Sequence, residues 1–151
     1  MLDGRARGVR GIRPRVLIID DEVLLIRSFG RILGRDYEVT AVPSAREALD
    51  LISSRERWDV ILCDLHMPDV DGVEFHHRLR RSYPELMHRL AFVTGGAFTP
   101  RAESFLRSLA LPVLQKPVTP DDLRAFVDEI ARSVDAPRLT APLERGARHP
   151  G

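Results

Sequence analysis

The chain has 151 residues, of which 44% are hydrophobic and 30% charged, and its formal net charge is +1. This length suits one domain with a buried core, and the near-neutral charge gives no support for nucleic-acid binding through a basic surface. The single cysteine, Cys63, excludes an internal disulfide. Because the sequence has neither an apolar run of about 18 residues nor the apolar core of a signal peptide, we expect a cytoplasmic protein without a nucleic-acid or membrane partner.

Composition divides the chain into three parts. Residues 1–14 are rich in Gly and Arg and have no periodicity, so we expect a flexible lead-in. Residues 15–134 carry the regular patterns of a folded domain. Residues 135–151 are rich in Pro, Arg and Gly, and we expect a disordered tail there.

The first half of the predicted domain alternates between strand and helix patterns. A short apolar run at residues 16–19 predicts a buried strand. Residues 22–33 carry apolar side chains at helical spacing, and the weak alternation of residues 37–42 predicts a second strand. Ser44 and Glu47 form a capping box, which is typical of the first turn of a helix.

A continuous apolar run lies at the centre of the sequence. Residues 60–63 lead directly into Asp64, and a segment rich in Pro, Asp and Gly follows. Short apolar runs that end in turn formers are typical of strands covered on both faces in a parallel sheet. The helix predicted next, at residues 73–82, has Phe75 and Leu79 as its apolar anchors.

The second half repeats the alternation. Residues 90–93 predict a fourth strand, and Pro100 suits the first position of a helix, where its missing N–H costs nothing. Residues 112–115 predict a short fifth strand, and Thr119 precedes a last amphipathic helix. Five alternations of strand and helix predict an α/β fold, in which a doubly wound, five-stranded parallel sheet has helices on both faces.

Polar side chains follow four of the five predicted strands. They are Asp20 and Asp21, Asp64, Thr94 and Lys116. Because all strands of a parallel sheet end at the same edge, we expect these side chains to converge, although they are far apart in sequence.

The converging residue types suit phosphoryl transfer. Three carboxylates form a site of the kind that holds Mg²⁺. Asp64 is a candidate nucleophile, since aspartates accept phosphoryl groups. Lys116 and the Thr94 hydroxyl would hold the other phosphoryl oxygens. A buried ion pair between Asp64 and Lys116 is the simpler interpretation, but it leaves the polar residues at the other strand ends unexplained.

These residues resemble the receiver domain of two-component response regulators, over about residues 15–134. The matching pieces are Asp20-Asp21, Asp64 with the Met67-Pro68 and Asp71-Gly72 turn, Thr94-Gly95 and Lys116-Pro117. The segment between Thr94 and Pro117 further resembles the receivers of hybrid sensor kinases. The resemblance implies a flavodoxin-like fold and a phosphoryl group that Asp64 takes from a histidine of a kinase or phosphotransfer domain.

The resemblance also implies roles for the surrounding residues. Asp21 and Asp64 would ligate Mg²⁺ together with the backbone carbonyl of His66, and Asp20 would act through a water molecule. Such a domain is regulatory and not an enzyme, and it assists only its own phosphorylation and dephosphorylation. We expect a monomer or weak dimer that signals through a partner protein, or that acts as a relay stage or phosphate sink. One residue departs from the pattern, because Val113 stands where the last strand often carries an aromatic side chain.

Two alternatives remain open at this point. The first is a binding module with the same fold that is never phosphorylated. The second is a phosphatase resembling the haloacid dehalogenases, which also use an aspartate nucleophile. Those enzymes place a second aspartate two residues after the nucleophile, where this sequence has His66, and their acidic pair does not precede the nucleophile.

Overall fold

The computed structural model describes residues 12–96 and 98–135. The lead-in and the tail expected from the sequence lie almost entirely outside these residues. A five-stranded, all-parallel sheet in the order β2-β1-β3-β4-β5 forms the centre of the fold. Its strands are β1 (Arg15–Ile19), β2 (Glu38–Val42), β3 (Val60–Cys63), β4 (Leu90–Thr94) and β5 (Val113–Gln115). The predicted fold class is confirmed.

Five α-helices connect and flank the strands. They are α1 (Val23–Leu33), α2 (Ala45–Ser53), α3 (Gly72–Ser82), α4 (Pro100–Ser108) and α5 (Pro120–Asp135). Three of the predicted helix starts have a side-chain cap, because the hydroxyl of Ser44 accepts from Glu47 N, that of Thr99 from Ala102 N and that of Thr119 from Asp122 N. A 3₁₀ helix at Pro84–Arg89, just before β4, was not predicted.

The two faces of the sheet are covered by different helices, and each interface is a separate apolar cluster. Helices α2, α3 and α4 pack on one face, around Trp58, Phe75 and Phe92. Helices α1 and α5 pack on the other, around Phe29 and Val127. Strands β1, β3 and β4 are buried along almost their whole length, as expected of central strands with helices on both sides.

The strand register brings the carboxyl ends of the central strands to one level. Ile19 pairs with Cys63, and Cys63 pairs with Phe92. Thr94, at the end of β4, pairs with Gln115 of β5. The residues that follow these strands therefore share one edge of the sheet, as the sequence predicts.

Candidate functional site

Backbone hydrogen bonds fix the residues at this edge of the sheet. Asp20 N donates to Val42 O at 3.2 Å, and Asp64 N donates to Ile19 O at 3.0 Å. Lys116 N donates to Thr94 O at 2.8 Å. Asp20, Asp64 and Lys116 thus extend the ladder of the sheet by one residue, which gives their side chains a rigid base.

Three carboxylates meet at the edge. One oxygen from each of Asp20, Asp21 and Asp64 lies within 4.8 Å of the other two. Asp20 is 3% exposed and Asp64 is 6% exposed, whereas Asp21 is open to solvent. The cluster therefore has a buried floor and one exposed side from which an ion or a donor can approach.

Lys116 compensates the charge of this cluster. Its ammonium group lies 2.9 Å from Asp20 Oδ2, 3.2 Å from Glu22 Oε1 and 3.6 Å from Asp64 Oδ2. The ion pair between Asp64 and Lys116 considered from the sequence is therefore the longest of three contacts. The contact with Glu22 was not predicted, although an acid beside an acidic pair at a helix start was a usable signal.

The buried positions alter the ionisation of both partners in the shortest contact. Burial is the largest influence on Asp20 and raises its pKa, against hydrogen bonds from the Glu22 N–H and Lys116 that lower it. Burial alone would lower the pKa of Lys116, but its hydrogen bond to Asp20 and the charges of Asp64 and Asp20 outweigh this and raise it. Lys116 therefore remains a cation.

The loop between β3 and α3 is folded back against Asp64. Gly72 N donates to Leu65 O at 2.9 Å, and a Cβ at Gly72 would lie 2.5 Å from the backbone oxygen of Asp64. Asp71 caps α3 through Glu74 N and pairs with Arg101 of α4 at 2.6 Å. A glycine is required here because the helix starts in direct contact with the backbone of Asp64 and Leu65.

Thr94 and Gly95 form the end of β4. The Thr94 side chain is fully buried, and its Oγ1 has no hydrogen-bond partner among the residues that the structure describes. Gly95 lies so close to Lys116 that a Cβ at Gly95 would be 2.9 Å from Lys116 Cβ. The absence of a side chain at Gly95 therefore makes room for Lys116.

His66 lies in the same cleft as Asp21, Asp64, Gly95 and Lys116. Its ring stacks on Phe98 with centroids 5.7 Å apart and an angle of 25° between the planes. The ring thus connects the loop that follows β3 with the segment that leads into α4. This contact was not predicted, because nothing in the sequence pairs the two positions.

The acidic cluster fits Mg²⁺ by its chemistry. Mg²⁺ takes oxygen ligands and is held in proteins by one or two carboxylates with several waters. Asp20, Asp21 and Asp64 supply such oxygens at one edge of the sheet, and the cluster is open to solvent on the side of Asp21.

Comparison with known proteins places the chain in one family. The model of the response regulator receiver domain matches residues 16–128. The two-component response regulator ORR5 of Oryza sativa subsp. japonica is 30% identical over 130 residues, which are 85% of this chain and 97% of ORR5. The hydrogenase transcriptional regulatory protein HoxA of Cupriavidus necator is 31% identical over 133 residues, but this chain spans only 26% of its length.

A hybrid kinase and solved structures agree with this placement. Hybrid signal transduction histidine kinase H of Dictyostelium discoideum is 37% identical over 86 residues, which are 57% of this chain and 6% of the kinase. A CheY-like receiver domain protein from Methanospirillum hungatei superimposes with a TM-score of 0.70 at 28% identity, covering 82% of this chain and 98% of that one. An adenylate cyclase structure from Rhodopirellula baltica gives 0.73 at 26% identity, with coverages of 91% and 100%.

Within the part of the chain that the structure describes, every helix is too short or too polar to cross a membrane.

The match to the receiver model covers most of the sheet and its helices, and it includes every strand end that contributes to the acidic cleft. The chain therefore belongs to the response regulator receiver domain family, the phosphoacceptor domains of two-component signalling.

Proposed function

We propose that Asp64 is the phosphoacceptor of this receiver domain and that its donor is a phosphohistidine on a histidine kinase or histidine phosphotransfer domain. The observation that supports this most is the position of Asp64. It follows the central strand β3, its carboxylate belongs to the acidic cluster and lies 3.6 Å from the Lys116 ammonium, and it lines the open cleft. The domain then signals through contacts with partner proteins.

The transfer itself requires only substitution at phosphorus. A carboxylate oxygen of Asp64 bonds to the phosphorus while the P–N bond to the donor imidazole breaks. The electron pair of that bond leaves with the imidazole nitrogen, which takes up a proton from solvent. The negative charge spreads over the phosphoryl oxygens in the transition state, so cationic and hydrogen-bonding groups nearby lower the barrier.

Lys116 and Thr94 supply those groups. The Lys116 ammonium is 3.6 Å from Asp64 Oδ2, so a small movement brings it to a phosphoryl oxygen. The Thr94 hydroxyl is buried and has no partner within the described residues, which leaves its hydrogen free for a second phosphoryl oxygen. An unpaired buried hydroxyl is unfavourable, and a phosphoryl oxygen within reach would remove that cost.

Receiver domains generally bind Mg²⁺ at an acidic pocket, and the three aspartates form such a pocket here. We assign Asp21, Asp64 and the backbone carbonyl of His66 as ligands, with Asp20 acting through water. Mg²⁺ would supply positive charge beside the phosphoryl oxygens. Asp21→Ala should weaken Mg²⁺ binding, measured by calorimetry, and slow phosphorylation, because one carboxylate ligand is lost.

An exposed apolar surface beside the cleft suits the donor protein. Val23 and Leu24 open α1, and Leu24 is 78% exposed. With Glu22 and Ser28 they line a shallow depression next to the acidic residues. An apolar patch at this place favours a protein contact. Leu24→Lys should slow transfer from a phosphohistidine protein and spare acetyl phosphate, whereas equal losses with both donors would contradict a docking role.

Incubation with acetyl phosphate and Mg²⁺ tests the assignment of Asp64. The wild-type chain should gain one phosphoryl group, detected by intact mass spectrometry, and should lose it at alkaline pH, as acyl phosphates do. Asp64→Asn should gain none. Labelling of Asp64→Asn at the wild-type level would show that another residue is the acceptor.

A further inference from the structure

Glu22 has an unusual position at the start of α1. It is the N-cap residue of this helix, yet its side chain makes no hydrogen bond to the helix amides. Its carboxylate accepts instead from Lys116 at 3.2 Å, and its backbone N–H donates to Asp20 Oδ1 at 2.9 Å. Glu22 therefore holds both members of the closest ion pair in the cleft.

Lys116 is shared among three carboxylates. An ammonium group has three N–H donors, and Asp20, Glu22 and Asp64 lie at increasing distances of 2.9, 3.2 and 3.6 Å. The two shorter contacts are with residues at the end of β1 and the start of α1. Both therefore draw Lys116 toward that side of the cleft and away from the β3 side, where Asp64 lies.

We propose that Glu22 is a positioning residue that restrains Lys116 on the Asp20 side of the cleft and thereby slows phosphorylation of Asp64. The inference rests on the proposed function of Asp64. It assigns Glu22 no contact with the phosphoryl group. Glu22 acts through Lys116, by competing with the incoming phosphoryl oxygens for the ammonium group.

The two shorter contacts of Lys116, with Asp20 and Glu22, differ in how easily they break. The Asp20 carboxylate is buried, whereas the Glu22 side chain is 63% exposed. Ion pairs of exposed side chains are weak, because solvent competes for both partners. A phosphoryl group carries nearly two negative charges at pH 7. Lys116 should therefore exchange Glu22 for the phosphoryl group during transfer while it keeps Asp20.

Two substitutions separate contact from charge. Glu22→Gln removes the charge and weakens the contact with Lys116. Glu22→Asp keeps the charge but shortens the side chain by one methylene, and aspartate at an N-cap turns its carboxylate to the helix amides. Both variants should therefore release Lys116, although only one changes the electrostatic repulsion of an anionic donor.

The measurement is the initial rate of phosphorylation by acetyl phosphate at fixed Mg²⁺ and ionic strength. Both variants should be about two- to fivefold faster than wild type, as expected for loss of an exposed ion pair. Glu38→Gln is the matched control, because Glu38 is an equally exposed acid at the start of β2, far from the cleft, and the charge change is the same. Its rate should equal that of wild type.

Three results would overturn the inference. Unchanged or slower rates in both Glu22 variants would show that Lys116 is not restrained. Acceleration in Glu22→Gln alone would assign the effect to repulsion of the donor. Equal acceleration in Glu38→Gln would assign it to net charge. A wild-type chain that takes up no phosphoryl group would instead contradict the proposed role of Asp64, and this inference with it.

Discussion

The ammonium group of Lys116 lies 2.9 Å from Asp20 and 3.6 Å from Asp64. The closer partner is thus the aspartate that follows β1, and the proposed acceptor, which follows β3, has the more distant contact. A carboxylate that is not tightly paired keeps its lone pairs accessible for attack on phosphorus. The same distance leaves Lys116 close enough to contact a phosphoryl group once Asp64 carries one.

Replacement of Asp20 should stabilise the protein when Mg²⁺ is left out. Burial raises the pKa of Asp20 above its ordinary value of 3.8. The contribution of such a group to stability is full below 3.8 and is lost as the pH rises through the folded-state pKa. Asp20→Asn should therefore unfold at higher urea concentration than wild type at pH 7, and the difference should shrink toward pH 4.

Trp58 fluorescence can follow this unfolding, since Trp58 is buried at the far end of β3 from the cleft. Added Mg²⁺ is the control. It should stabilise wild type more than Asp20→Asn, because a ligand stabilises only the state that binds it. A variant less stable than wild type at pH 7 without Mg²⁺ would contradict the effect of burial on Asp20.

Two glycine substitutions should have opposite effects. Gly72→Ala should destabilise the protein by about 1–3 kcal/mol and slow phosphorylation, because its Cβ would lie 2.5 Å from Asp64 O and 2.7 Å from Leu65 Cα. Gly30→Ala, within α1, meets no atom within 4 Å and should stabilise by about 0.5–1 kcal/mol. Urea unfolding measures both, and a neutral Gly72→Ala would contradict the close approach.

The order of strands and helices could be predicted because each element has a strong local pattern. The apolar runs of β1, β3 and β4 are buried as expected, and the capping signals at Ser44 and Thr119 are used. The 3₁₀ helix at Pro84–Arg89 was missed, since it buries no residue and so has no apolar pattern.

The convergence of the candidate site was also predictable, because polar residues at the ends of parallel strands must share an edge. The contacts within the site were not. Lys116 is closest to Asp20 and touches Glu22, and the ring of His66 packs on Phe98. Such pairings depend on side-chain directions across different elements, which no single segment of sequence specifies.

Acid should weaken the interface between α3 and α4. His76 is buried, its Nδ1 has no partner among the described residues, and its ring packs edge-on against Phe105 at 4.9 Å. Burial lowers the pKa of His76 below its ordinary 6.5, and the charges of His77 and Arg80 lower it further. The stability gained from neutral His76 is present above 6.5 and is lost as the pH falls through the folded-state pKa.

His76→Leu should therefore lose less stability than wild type between pH 7 and pH 5, measured by urea unfolding. His77→Leu is the matched control, because His77 neighbours His76 on α3 but is exposed. Since the charge of His77 contributes to the lowered pKa of His76, this variant should lose somewhat less stability than wild type and more than His76→Leu. An identical pH dependence in wild type and His76→Leu would show that His76 is not the responsible group.

Phosphorylation should cause only small changes around β5. Val113 is already 40% exposed, and a β-branched side chain has a stiff χ1 and little reach. A ligand shifts an equilibrium only through contacts that differ between the two states, and Val113 offers few. Amide chemical shifts with and without beryllofluoride should change mainly near Asp20, Asp64 and Thr94. Large changes across residues 113–127, or dimerisation through that face, would contradict this.

Reductive trapping of the acyl phosphate tests the role of Asp64 most directly. After incubation with acetyl phosphate and Mg²⁺, borohydride reduces an aspartyl phosphate to homoserine, and peptide mass spectrometry locates the converted residue. Homoserine should appear at position 64 alone, and Asp64→Asn should yield none. Homoserine at position 20 or 21, or its absence from a chain that demonstrably carries a phosphoryl group, would contradict Asp64 as the acceptor.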